Sequence, residues 1–84
     1  MDEIAIRKRF GIRVRQIRLS RDWSQEELAA NAGLDRTYIG SVERGERNPG
    51  LVNIVRLATV LEVPVAELFR VDAEGERSPK RGSG

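Results

Sequence analysis

Arg36, Thr37 and Ser41 fall within a few residues of one another, just after an aspartate suited to starting a helix. Their chemistry is donation to paired acceptors. A guanidinium can give two parallel hydrogen bonds to the O6/N7 edge of guanine. Threonine offers a methyl for thymine or a hydroxyl for a base or phosphate, and serine a hydroxyl that reaches a base only if the helix lies close. Tyr38 sits among them, placed either to bond a phosphate beside a groove or to stack against the edge of a core. Gly40 removes a side chain that would hold this helix away from a partner. Such donors read nucleic acid only if one short helix carries them outward, and the flanking residues supply that helix.

Asp35 is a good N-cap, and Leu34 with Ile39 forms a hydrophobic staple across it. Ile39 and Val42 point inward at helical spacing, which leaves Arg36, Thr37, Gly40, Ser41 and Arg44 on the outward faces. Gly45 closes the segment. A second short helix precedes it. Ser24 and Glu27 are spaced as a capping box, Trp23 and Leu28 as a staple, and Leu28, Ala29 and Ala32 as a buried stripe. Gly33 suits the left-handed position that ends that helix. Two helices joined by a short glycine turn form a helix-turn-helix, whose second helix can lie in the DNA major groove.

The S-Q-E-E-L-A run at residues 24–29, the A-G-L-D-R-T-Y-I junction at 32–39 and the V-E-R-G-E-R-N-P run at 42–49 resemble the lambda-repressor/Cro-like (XRE) family of helix-turn-helix DNA-binding proteins. The V-R-Q-I-R run before Trp23 and the L-A-T-V-L-E-V-P-V-A-E-L-F run at 57–69 extend the resemblance over residues 6–71. It looks closest to small stand-alone members such as phage-type repressors and restriction–modification controller proteins. The resemblance implies an all-α, compact five-helix lambda-repressor-like domain with the helix-turn-helix at helices 2–3. It also implies sequence-specific binding to double-stranded DNA and transcriptional regulation, as repressor, activator or both. RNA polymerase is a further partner if the protein activates.

On that reading Arg36, Thr37 and Ser41 are the base contacts. Gln25, Arg18, Tyr38, Arg44, Arg47 and Asn48 are backbone contacts that fix register without conveying sequence. The Gln25 amide can bond a phosphate and also brace the recognition helix. Arg18 near the end of helix 1 is either a phosphate contact or a cation placed well against the helix dipole. Arg15 is expected to fasten two helices by a salt bridge to an acidic residue such as Glu43, and Glu43 is assigned to structure.

Helix 1 is expected over residues 4–20, with Ile6, Phe10, Val14 and Ile17 facing the core. Gly11 within it costs about 1 kcal/mol relative to alanine, so close packing of a neighbouring helix is its expected reason. Residues 46–50 are turn formers. Residues 51–61 form a fourth, strongly apolar helix separated by Pro64 from a short fifth at about 65–69. Val52, Val63, Val65 and Phe69 are either further core or an apolar patch for a second copy of the chain. A homodimer on a pseudo-palindrome follows from the second reading, its two recognition helices about 34–36 Å apart.

Residues 1–71 are thus one DNA-binding domain, dimerising through its C-terminal helices, and residues 72–84, nearly devoid of apolar groups, a disordered tail. With no cysteine or histidine, disulfides and thiolate or histidine metal sites are excluded, and no cofactor is expected. No stretch is apolar enough to suggest a signal peptide or membrane span, and a cytoplasmic setting fits. Net charge is +2, but residues 1–22 hold seven Arg and Lys against three Asp and Glu, an excess of +4 that is either the solvated face of the first helix or a DNA-backbone footprint. No carboxylate, lysine and tyrosine cluster suggests an enzyme. The competing class is an antitoxin or protein-interaction module on the same fold, disfavoured by the lack of an apolar docking stripe after residue 71.

Overall fold

The first three helices begin where the sequence supplies a side-chain acceptor for their free amides. In a computed structural model, which describes residues 2–70, Asp2 accepts from the Ala5 amide at 2.8 Å and opens α1 (Glu3–Ser20). Ser24 and Glu27 close the capping box in both directions, at 3.0 and 2.7 Å, and open α2 (Gln25–Ala32). Asp35 accepts from the Thr37 amide at 2.9 Å and opens α3 (Arg36–Glu43). Gly33 and Gly45 both take left-handed backbone, at φ +69° and +77°, as the turns after α2 and α3 require. Gly50 leads into α4 (Leu51–Leu61), and Pro64 into α5 (Val65–Leu68).

The five helices enclose one core. Phe10, Val14 and Ile17 enter it from α1, Leu28, Ala29 and Ala32 from α2, and Ile39 and Val42 from α3. Leu57, Ala58 and Leu61 of α4 and Leu68 of α5 complete it. Gly11 has the packing reason expected of it: a Cβ there would lie 2.3 Å from the Val42 carbonyl oxygen and 2.5 Å from that of Glu43. The C-terminal end of α3 therefore sits directly on the backbone of α1.

Ile6 departs from expectation, because it is exposed. Periodicity identifies the inward face of a helix but not how far its neighbours extend along it, and Ile6 lies one turn ahead of Phe10, where the buried stripe begins. Of the four residues left open between core and apolar patch, Val63 is half-buried against the core, whereas Val52, Val65 and Phe69 are exposed. The expected tail at 72–84 lies outside the described residues. No described helix is long and apolar enough to cross a membrane.

Helix α4 ends at Leu61, three residues before Pro64, and its cap Glu62 adopts left-handed backbone (φ +61°) without being glycine. An L side chain there costs roughly 1–2 kcal/mol. The only ion pair of Glu62 among the described residues is a 3.5 Å contact with Arg21 on an exposed edge, which contributes little. Glu62→Gly is therefore expected to stabilise the domain by about 0.5–1 kcal/mol, net of glycine's greater freedom when unfolded. Thermal unfolding checks it; a lowered Tm would mean that the Arg21 contact outweighs the strain.

Candidate nucleic-acid interface

The recognition helix is fixed from behind. Arg18, 6% exposed, donates through Nε and Nη2 to the two carboxylate oxygens of Glu43, at 2.7 and 2.9 Å, and through Nη1 to the Trp23 carbonyl at 2.7 Å. Gln25 Nε2 adds a 3.1 Å bond to Glu43 Oε1. One buried carboxylate at the end of α3 thus ties that helix to α1, to the start of α2 and, through Arg18, to the turn between them. The bracing role expected of Gln25 is present, and Glu43 is structural.

Two expectations are corrected here. Arg18 is not placed to meet a phosphate, since its guanidinium is buried and its donors are spent inside the protein. Arg15 does not hold Glu43; it is exposed and makes no ion pair among the described residues. The reason is angular. Gly11, Val14 and Arg18 follow one another at spacings of three and four, so they share the stripe of α1 on which the end of α3 rests. Arg15 is turned about 100° from Val14 and about 60° from Arg18, to the exposed edge of that stripe.

On the opposite side, Arg36 and Thr37 are exposed at the first turn of α3, and Arg36 makes no ion pair among the described residues. Gly40 and Arg44 continue the stripe at intervals of four. A Cβ at Gly40 would meet Arg44 Nη1 at 3.2 Å and Gln25 Oε1 at 3.5 Å, so the space it leaves is used by side chains of this same chain. Ser41 is a third correction. It is only 9% exposed, and its hydroxyl donates to the Tyr38 carbonyl at 2.8 Å. The chain turns back at this point, the Glu46 amide bonding the Ser41 carbonyl at 2.9 Å. A short side chain whose hydroxyl is satisfied by its own helix has neither the reach nor the free donor for a base edge.

Tyr38 is half-buried, with its ring packed against the core edge. Its oxygen accepts from Asn53 Nδ2 of α4 at 3.1 Å, and the Arg47 guanidinium lies over the ring, 5.2 Å from its centroid. Arg47 and Asn48 are exposed in the segment after α3. Arg44 pairs with Glu46 at 3.0 Å on the surface, and this hydrogen bond raises the Arg44 pKa and lowers that of Glu46. Asn53 was not anticipated from sequence. Its signal is a single amide in an otherwise apolar opening to α4.

The basic excess of residues 1–22 is largely neutralised. Arg7 pairs with Glu3, Arg13 with Glu67, Arg18 with Glu43 and Arg21 with Glu62, leaving Lys8, Arg9 and Arg15 without a salt bridge among the described residues. The Arg13 bond also holds the Glu67 carboxyl below its usual pKa. The exposed cations on α3 and the segment after it are Arg36, Arg44 and Arg47.

A capped helix-turn-helix with an exposed, cation-bearing second helix defines a DNA-binding domain of the helix-turn-helix class. The chain belongs to the helix-turn-helix family (HTH_3, XRE-like), whose pattern matches residues 14–68 and whose members here are DNA-binding transcription regulators. It is similar to the control protein C.BamHI of Bacillus amyloliquefaciens, 44% identical over 77 residues that span 90% of this chain and 95% of that one. Among solved structures it resembles the restriction–modification controller C.AhdI of Aeromonas hydrophila, with 52% identity, a TM-score of 0.76, and 77% of this chain and 98% of that one covered. The controller C.Esp1396I, solved as a tetramer on its natural 35-base-pair operator, matches at 29% identity and TM-score 0.67 over 77% of this chain and 96% of its own.

Proposed function

We propose that this protein regulates transcription as a homodimer on a pseudo-palindromic operator, with α3 of each protomer in the major groove. The observation that carries the reading is the polarity of α3: its last turn is locked by the Arg18–Glu43 pair while Arg36 and Thr37 stand free at its first. The N-terminal half of a recognition helix is the half that meets base edges. Arg36 and Thr37 are the base contacts; Gln25, Tyr38, Arg44, Arg47 and Asn48 meet the backbone. Exposed Val52, Val65 and Phe69, joined by Leu51 and Val55, form the dimer surface. The operator-bound tetramer of C.Esp1396I supports assembly of more than one copy on DNA. Control of a restriction–modification system is the role its similarity to C.BamHI and C.AhdI supports. Any contact with RNA polymerase falls to exposed acids such as Glu26, since Glu43 is buried.

Selection of bound duplexes from a random library, repeated with Arg36→Ala, tests the assignment. Loss of preference at one symmetric base position is expected, with discrimination there reduced by about 1–3 kcal/mol. Arg47→Ala is expected to weaken all sequences alike and to flatten the salt dependence. If Arg36→Ala behaves like Arg47→Ala, Arg36 is a phosphate contact and not a reader.

A further inference from the structure

Tyr38, Arg47 and Asn53 join three segments: the recognition helix, the chain that follows it, and the first turn of α4. The Asn53–Tyr38 bond runs in one direction, because an amide NH2 can only donate. It fills one lone pair of the phenolic oxygen, and the hydroxyl proton makes no hydrogen bond among the described residues. Asn53 and Tyr38 are each half-buried, so the contact restrains the ring without being part of the closed core. The guanidinium of exposed Arg47 rests on the ring that Asn53 restrains. Leu51, Val52, Ile54 and Val55 around Asn53 are apolar, and packing alone gives no reason for an amide among them.

We propose that Asn53 is a positioning residue for DNA binding: from α4 it orients the Tyr38 hydroxyl as a donor to a backbone phosphate and, through the ring, sets the place of Arg47. This rests on the DNA-binding reading above. The phenol then enters the interface with its proton directed outward, and a hydrogen bond to an ionised phosphate is of the strong, charge-assisted kind. Asn53 touches no DNA itself. It acts on two backbone contacts at once, which ties the helix bearing the proposed dimer surface to the DNA face.

The test uses the full chain and a duplex selected by the wild-type protein, beside an unrelated duplex. Tyr38→Phe is expected to lower affinity for the selected duplex about 10- to 100-fold, the range for losing a bond to a charged group. Asn53→Leu, close in shape to the amide and a better helix former, should lower it about 3- to 10-fold with Tm unchanged or raised. Asn53→Ala should act in the same direction, which separates loss of the donor from altered packing. The deciding readout is the double variant. Asn53→Leu should have little further effect once Tyr38 is phenylalanine, because its consequence runs through the phenol. Wild-type affinity in both Asn53 variants, or an Asn53→Leu loss that persists undiminished beside Tyr38→Phe, overturns the proposal. Failure of the wild type to bind any duplex overturns the DNA reading beneath it instead.

Discussion

Arg18→Met is expected to destabilise the domain by about 3–5 kcal/mol, because it leaves the Glu43 carboxylate buried with one neutral donor in place of a bidentate guanidinium. Small domains have about 5–15 kcal/mol in hand, so the variant loses a large part of its stability. Arg18→Lys should not rescue it: an ammonium cannot reproduce the planar fork that serves both Glu43 oxygens and the Trp23 carbonyl. The paired change Arg18→Met/Glu43→Leu should recover most of the loss, since removing both charges removes the burial penalty along with the attraction. Denaturant midpoints measure all three. A single-variant loss under about 1 kcal/mol would show that the pair lies open to water after all. The paired variant has a second use: it frees the Gln25 amide, so wild-type stability combined with weakened DNA binding would show that the network's work is orientation of α2 and α3.

That network marks the line between what the sequence discloses and what it withholds. Caps and turns are local, and Ser24 with Glu27, Asp35, Gly33 and Gly45 act within four residues of themselves, so each was readable in isolation. The close approach at Gly11 was also readable as a need for space, though its partner was not. The choice of Arg18 over Arg15 as the mate of Glu43 has only a partial signal in the same helix, the spacing Gly11–Val14–Arg18. That spacing does not say which cation gives up solvent for burial, so the pairing is not legible from it alone. Arg13 and Glu67, 54 positions apart, carry no local signal of their pairing. Ser41 shows another limit. Helical angle puts it on the outward arc, but accessibility depends on side-chain length and on how the chain returns after Gly45. The exposure of Arg36 and Thr37 is legible because a capped first turn needs only the cap and the inward pair Ile39 and Val42.

Replacing Val52 and Val55 together by lysine is expected to leave the fold intact and abolish the dimer. Both lie on the outward stripe of α4 beside Leu51, with 63%, 45% and 77% of their surfaces exposed, so neither substitution removes anything from the core. Exposed valines are unremarkable singly, but three large apolar residues on one stripe, with Val65 and Phe69 exposed on the adjoining segment, form a surface that gains by being covered. In a two-fold interface each residue is presented twice, so two lysines per chain place four cations against one another. The choice of cation decides the interpretation. Added positive charge favours DNA through counterion release, so a fall in operator affinity cannot be ascribed to repulsion by phosphate. The expected result is a monomer by sedimentation at concentrations where the wild type is a dimer. Affinity for the full operator should drop by about 10²- to 10⁴-fold as the second half-site stops being bound as part of one event. Affinity for an isolated half-site should be unchanged or slightly raised. A variant that still sediments as a dimer places the interface elsewhere. A wild type that stays monomeric on its operator removes the homodimer and leaves a single recognition helix whose few contacts must then account for all of the binding.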